Sequence, residues 1–191
     1  MFKRKSNLGW LAGLFAVLVG ATPCGWTQEQ RTISPEAQEA MRLLEAKDTY
    51  SRQLGFMRLE ALREPATASA VRQHLANRDP DTRAFSARAL AAIEGTRAVP
   101  TLIELLKRDR SPRVRLAALL ALEPIQDPLV TPILIEKLRD RNPEVRMAAV
   151  DAVSRIDDPH ARGAILTRWR RERHRDVRRV LQEAMDRLGR P

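Results

Sequence analysis

The sequence contains a single cysteine among its 191 residues, and only 4% of the residues are aromatic. One cysteine cannot form a disulfide within the chain, so Cys24 could serve only in a bond between chains. With no internal crosslink and few rings, stability must come from the packing of aliphatic side chains. The length and the 43% hydrophobic content suffice for one domain with a continuous core.

Histidine is also scarce. The three residues, His74, His160 and His174, lie at unrelated positions. They do not supply the ligand set that a protein metal site requires. The chain lacks a glycine-rich phosphate loop and a nucleophile elbow, and Cys24 has no evident activating base. We therefore predict no catalytic residue, no cofactor and no metal.

The first 21 residues are organised like a secretory signal. Three positive charges in MFKRKSN precede an apolar run from Leu8 to Ala21. Its 14 residues fall short of the about 20 that span a membrane. Small residues at 19 and 21 predict cleavage after Ala21 and a periplasmic or cell-envelope protein, with an uncleaved anchor at 1–21 as the alternative. Residues 22–33 form a linker, in which a proline before Cys24 disfavours lipidation.

Positive charge is in excess, with a formal net charge of +10, and lysine occurs only five times. Arginine in place of lysine either serves bidentate recognition of carboxylates and phosphates or reflects the coding bias of a GC-rich genome. The charge permits an anionic partner. Nucleic acid is a disfavoured partner because the chain has few aromatic residues, no recognition motif and an export signal.

An arginine recurs at intervals of 31 or 32 residues. It belongs to near-duplicate stretches such as DRSPRVRLAAL (109–119) and DRNPEVRMAAV (140–150). In four copies a small residue follows three positions later, and large apolar residues follow at seven and ten. These offsets share one helix face, where small side chains let neighbouring helices approach closely. The recurring arginines are Arg52, Arg83, Arg115, Arg146 and Arg178.

Start and stop signals divide each copy into two helices. Asp79-Pro80, Ser111-Pro112 and Asn142-Pro143 each place an N-cap residue before a proline at the first helical position. A breaker and a second amphipathic run follow. The second runs are predicted over 66–76, 99–108, 131–140 and 163–172. A leading helix capped by Ser34 and a last helix over 175–188 complete a domain 34–190, with units near 34–47, 48–78, 79–110, 111–141, 142–173 and 174–190.

The pattern D-x-[SN]-P-x-V-R-x-A-A, repeated over roughly 48–190, resembles HEAT repeats of the short bacterial type named after phycobilisome lyases. The resemblance implies an all-α superhelix of four to five helical hairpins, with one helix of each pair outside and the other lining a concave surface. It also implies a hydrogen-bonded ladder in which the recurring arginine and an acidic residue six positions earlier join adjacent repeats. The ladder residues are Arg52, Arg83, Asp109, Arg115, Asp140, Arg146, Glu172 and Arg178.

Most proteins of the resembled family are scaffolds, which favours a non-catalytic protein-binding module over an enzyme. Two HEAT-like families are catalytic: the phycobilin lyases, and the deoxyhypusine hydroxylase, which binds iron through His-Glu pairs. No histidine of this chain is followed by glutamate. The chain thus lacks the iron-binding pairs of the hydroxylase. Because the two catalytic families resemble this repeat, an accessory role in a lyase- or hydroxylase-type reaction is the alternative expectation.

We expect the second helices to line the concave face and to bind a protein partner that the sequence does not identify. Separately, the stretch 168–179, RWRRERHRDVRR, is either a solvated end cap or a docking patch for an acidic protein, an anionic membrane surface or another polyanion. Trp169 within it aligns with Leu106 and Leu138 and is predicted to belong to the core. The candidate binding residues are Gln73, His74, Glu104, Lys107, Arg108, Glu136, Lys137, Arg139, Thr167, Arg168, Arg170 and Arg171.

Overall fold

Helices follow one another along the whole part of the chain that the computed structural model describes, which is residues 33–189 without 126, 128 and 157. The predicted leader and almost all of the predicted linker lie outside the described residues. The helices are α1 (Pro35–Leu44), α2 (Thr49–Leu62), α3 (Ala68–Gln73), α4 (Pro80–Glu94), α5 (Val99–Arg108), α6 (Pro112–Leu122), α7 (Val130–Lys137), α8 (Pro143–Ser154), α9 (Pro159–Arg171) and α10 (Arg175–Arg187).

Helix N-termini follow the capping signals of the sequence with two exceptions. Asp79 accepts hydrogen bonds from the backbone N–H groups of the first turn of α4, and Asn142 does the same for α8. The Ser111 side chain makes no such bond, so the expectation that it caps α6 is wrong. Asp158 accepts a hydrogen bond from the backbone N–H of His160 and caps α9, which consequently begins at Pro159 rather than at 163.

The second helix of the first full unit is shorter than predicted. A helix was expected over 66–76, but only Ala68–Gln73 is α-helical, and 3₁₀ turns at Pro65–Thr67 and His74–Ala76 flank it. No side chain caps its first turn, and Val71 is its only buried residue. Without a cap or a continuous apolar face, little stabilises further α-helical turns here.

The helices form two layers that enclose the core. The arginine layer consists of α2, α4, α6, α8 and α10, each of which carries one recurring arginine. The companion layer consists of α1, α3, α5, α7 and α9. Aliphatic side chains from both layers meet in one continuous hydrophobic core, which confirms the predicted all-α packing. Its largest fully buried members include Leu44, Phe56, Leu59, Leu90, Leu102, Leu106, Leu119, Leu122, Ile165 and Leu181.

Small residues three positions after the recurring arginine bring the two layers together. A Cβ on Gly55 would lie 2.8 Å from the carbonyl oxygen of Ala40 and 2.9 Å from Cδ2 of Leu44, so only glycine lets α1 and α2 approach this closely. In the next copy the buried Ser86 hydroxyl donates to the carbonyl oxygen of Val71, 2.7 Å away in α3.

The spacing of the helices sets the direction in which the stack curves. Successive helices of the arginine layer pack along much of their length, whereas α5 and α7, like α7 and α9, approach each other at only a few residues. A stack with closer spacing in one layer bends toward that layer. The arginine layer is therefore concave, and the expectation that the second helices line the concave face is wrong.

We predict opposite effects of alanine at two helical glycines. Gly55→Ala should lower the free energy of unfolding by about 1–3 kcal/mol, because the added methyl group must push α1 away. Gly163→Ala should raise it by about 0.5–1 kcal/mol, because a Cβ there meets nothing within 4 Å and alanine favours the helix. Urea denaturation of both variants measures the difference. Equal effects would contradict the close packing of α1 on α2.

Candidate functional site

The first four recurring arginines each join two successive repeats through different edges of the guanidinium group. Arg115 is typical. Its Nη1 donates to the carbonyl oxygens of Asp109 (3.0 Å) and Arg110 (3.2 Å), in the turn that precedes its own helix. Its Nε and Nη2 donate to the two carboxylate oxygens of Asp140, at 2.9 Å and 2.7 Å. Asp140 lies in the corresponding turn of the next repeat, so one side chain fixes the distance between two turns.

The same arrangement recurs along the described chain. Arg83 holds Asp109 with two bonds of 2.8 Å and 2.9 Å, and Arg146 holds Glu172 with bonds of 2.9 Å and 3.2 Å. In each turn, the carboxylate that receives the arginine also accepts a backbone N–H from two residues further on. The acid therefore shapes its own turn while it binds the preceding repeat.

The first contact of the ladder (its first rung), which Arg52 makes, uses a different acid. Asparagine stands at the ladder position, Asn77, and its side-chain oxygen accepts the N–H of Asp79 at 2.9 Å, which preserves the turn. The negative charge comes from Asp79 itself, whose carboxylate accepts from Arg52 Nη2 at 3.2 Å. Arg52 Nε donates to the Thr82 hydroxyl at 2.9 Å. Two residues thus share the roles that one carboxylate fills in the other turns.

The ladder carboxylates remain ionised well below neutral pH. Burial raises the pKa of Glu172, but the N–H of His174 and the guanidinium groups of Arg168 and Arg146 outweigh it and lower this pKa to about 2. For Asp79, burial is likewise outweighed by hydrogen bonds, those from Thr82 foremost, and the pKa is lowered to about 2. The pKa values of Asp109 and Asp140 are also lowered, because their arginine partners overcome the effect of burial.

The last arginine of the series has no acidic partner among the described residues. Arg178 donates to the carbonyl oxygen of Glu172 at 3.3 Å, as the others do within their own repeats. Its guanidinium carbon lies 5.8 Å from the centre of the Trp169 ring, a cation–π contact. Trp169 is partly buried and packs against the core. Among the described residues, Arg178 thus contacts an aromatic ring where the other arginines contact an acid.

Three of the twelve candidate binding residues are buried or half-buried and have partners inside the domain. His74 is half-buried and meets the Phe56 ring edge-on at 5.4 Å between ring centres, and burial lowers its pKa. Lys137 is 7% exposed and pairs with Glu136 at 3.2 Å. Arg168 donates to Glu172, with Nε 2.9 Å from the carboxylate. These contacts reduce the exposure of the three side chains, and whether they contact a partner stays a prediction.

The other candidates are exposed on the companion layer, although not on the concave side. Whether they bind a partner stays a prediction. Five of the twelve lie around one groove of about 340 Å³ between α7 and α9: Glu136, Arg139, Thr167, Arg168 and Arg171. The exposed candidates are Gln73, Glu104, Lys107, Arg108, Glu136, Arg139, Thr167, Arg170 and Arg171.

The histidines stay apart. His160 lies at the start of α9 with Nδ1 3.0 Å from an oxygen of Asp158, and His174 is exposed immediately before α10. Among the residues that the structure describes, no three His, Cys, Asp or Glu side chains are grouped so that they could hold a metal ion. Within the same part of the chain, no helix combines the length and apolar character of a membrane span.

The concave face carries exposed apolar side chains that the sequence reading missed. Tyr50 is 76% exposed, Met57 51% and Leu120 48%. They lie two residues before or five residues after a recurring arginine, on the side of each helix that faces away from the core. A signal was present in the sequence, since the position of Met57 and Leu120 is charged in the other copies.

Ion pairs connect successive helices across this concave face. Their guanidinium groups belong to one helix and their carboxylates to the helix before it, and most are well exposed, so each contributes little stability. Toward the C-terminal end, Asp151 pairs with both Arg155 and Arg187, which leaves a polar surface. The pairs between helices are Arg88 with Glu60, Arg113 with Asp81, Arg155 with Glu123 and Arg187 with Asp151.

The arginine-rich stretch 168–179 divides into paired and unpaired side chains. Arg168 binds Glu172, Arg178 lies against Trp169, and Arg179 pairs with Glu183 at 3.0 Å. The remaining four guanidinium groups are exposed and have no ion pair with a described residue. They are Arg170, Arg171, Arg173 and Arg175.

Loss of one ladder arginine should destabilise the fold much more than loss of a neighbouring surface arginine. Arg115→Ala should cost about 3–5 kcal/mol of unfolding free energy, because it leaves Asp140, whose side chain is 6% exposed, as an uncompensated charge. Arg113→Ala removes an ion pair whose arginine is 66% exposed and should cost below about 1 kcal/mol. Urea denaturation measures both. Similar losses would show that the ladder contributes no more than a surface ion pair.

Comparison with known proteins agrees with this architecture. Residues 38–123 and 99–186 match the family model of HEAT repeats. No curated protein matches the chain.

Among solved structures, the chain is similar to the complex of CpcE and CpcF of phycocyanin lyase from Nostoc sp. PCC7120. The two are 20% identical with a TM-score of 0.62, over 78% of this chain and 97% of that one. It is also similar to YibA of E. coli (20% identity, TM-score 0.61, 80% of this chain and 61% of that one) and to an engineered protein (19%, 0.51, 80% and 78%). The predicted α-α superhelix is thereby confirmed, and the chain belongs to the HEAT-repeat family.

Proposed function

We propose that this protein is a non-catalytic scaffold or adaptor that binds another protein through the concave face of its arginine layer. The observation that carries the proposal is the exposure of Tyr50, Met57 and Leu120 on that face. Large apolar side chains on a protein surface mark contact sites when they cluster, and Tyr50 and Met57 do so on α2. Tyrosine and methionine are also among the residues enriched at protein interfaces.

These side chains occupy the N-terminal half of the concave face. Tyr50 and Met57 are seven residues apart on α2, so they project from the same side of the helix two turns apart. Half-buried Leu54 lies between them, and Phe85 occupies the equivalent position on α4. A partner segment laid along α2 would cover a continuous apolar strip, with the ion pairs of the later helices forming a polar rim.

The likeness to the CpcE–CpcF complex supports a protein partner in general, since that structure contains two different proteins in contact. At 20% identity this likeness supports the fold and not a shared partner. An accessory role in a lyase-type reaction is the second candidate, and it rests on that neighbour alone. Both candidates require a protein to bind the solenoid.

Photo-crosslinking in the native host distinguishes the two faces. A photoreactive amino acid at Met57 or Leu120 should give the same crosslinked partner, identified by mass spectrometry. The same group at Gln73 or Lys107, exposed on the companion layer, should not capture that protein. Binding of the purified partner should then weaken by roughly tenfold or more for Met57→Glu. Capture from Gln73 and Lys107 but not from the concave positions would overturn the proposed face.

We also propose that the chain is exported and acts in the cell envelope, on the strength of the charged and apolar segments in residues 1–21. The intact mass of the protein isolated from its own host should correspond to a chain that begins at Thr22. A full-length mass in the membrane fraction would support the uncleaved anchor. A full-length mass in the cytosolic fraction would contradict export.

A further inference from the structure

A groove on the companion layer has features of a ligand site that the concave-face proposal does not use. It lies between α7 and α9 and has a volume of about 340 Å³. Its apolar lining includes Ile135, Leu138 and Ala164, and Arg139 and Arg171 line it as well. The volume and the mixture of apolar and charged lining are those of a site for a small chemical group or for a few side chains.

Small residues in α9 create this groove. Gly163 and Ala164 lie where the preceding helix α7, 31 residues earlier, has Pro132 and Ile133. A Cβ added to Gly163 would meet no atom within 4 Å, so the space above it is open. Glycine inside a helix is destabilising relative to alanine, and no close approach of backbone requires it here. The open space is thus a property of the surface and not of the core packing.

The charges that line the groove do not cancel. Its one carboxylate, Glu136, pairs with Lys137 at 3.2 Å. Arg168 is engaged by Glu172, which belongs to the ladder. Arg139 and Arg171 are exposed, and neither side chain has a hydrogen bond or ion pair with a described residue. Two unpaired guanidinium groups therefore flank an apolar surface.

We propose that this groove binds an acidic peptide segment of a partner protein. Carboxylates of the segment pair with Arg139 and Arg171, and an apolar side chain enters the space above Gly163 and contacts Ala164. Guanidinium groups bind carboxylates through paired hydrogen bonds, so binding depends on both the geometry and the charge of the ligand. The site lies on the opposite layer from the concave face, so one protein can bind there while another occupies the concave surface.

An acidic peptide fits these features better than a membrane surface does. The groove is recessed and has an apolar lining, whereas a lipid headgroup layer would engage the protruding arginines of 168–179 without entering it. Arg170 is the discriminating residue, because it is exposed next to Arg171 but does not line the groove. A headgroup layer would use Arg170 as much as Arg171, and a peptide in the groove would not.

Selection from a displayed library of random 12-residue peptides tests the proposal with the purified full chain. Binders should be enriched in Asp and Glu next to Leu, Ile or Val. Their affinity, measured by fluorescence anisotropy, should fall roughly tenfold or more for Arg139→Glu and Arg171→Glu. It should fall similarly for Gly163→Leu, which fills the groove without changing the charge.

Arg170→Glu is the matched control, since it changes the net charge by the same amount as Arg139→Glu and should alter peptide affinity less than about twofold. Circular dichroism and urea denaturation verify that each variant is folded. Absence of acidic binders, or binders that tolerate Gly163→Leu, would overturn the proposal. Vesicles with 30% phosphatidylserine that bind the protein, and lose binding equally with Arg139→Glu and Arg170→Glu, would overturn it in favour of a membrane patch. The crosslinking experiment at Met57 and Leu120 tests the concave face, so its result does not depend on whether the groove binds a peptide.

Discussion

The bidentate contact between a buried arginine and the carboxylate of the next repeat is the interaction on which the rest of this structure depends. Each guanidinium group of the first four copies joins the backbone of its own turn to an acid of the following turn, and the side chains of Arg115 and Asp140 are both almost fully buried. Removal of either partner of such a pair leaves the other as an uncompensated buried charge. Because the rungs lie at the turns, they set the register of the repeats and leave both helix layers free to carry other chemistry.

The recurring positions of the repeat predict this scaffold because each position has one structural role that one kind of residue fulfils. Arginine is required for the two-sided contact, small residues such as Gly55 and Ser86 for the approach of the layers, and Asp79 or Asn142 for a helix start. Curvature could not be predicted in the same way. Periodicity shows which side of a helix faces the core, but the bend depends on the spacing of whole helices, which no single position encodes.

The candidate site was predicted less well, for reasons visible at individual residues. The sequence predicts an outward position for both Lys137 and Arg139, yet Lys137 is buried beside Glu136 at the end of α7, and Arg139 is exposed in the turn that follows. Arg168 sits in a charged cluster, but Glu172 one helical turn later engages it. Charge on a helix therefore indicates a free surface only when no acid lies within reach, and that depends on the fold.

The ladder and the sparse contacts of the companion layer act on the same pair of helices. Arg146 joins the turn after α7 to the turn after α9, whereas the two helices touch at few residues along their length. Small side chains can therefore widen the gap between them without any change in the register of the repeats. The groove at Gly163 is a part of the surface whose sequence can vary while the scaffold stays the same.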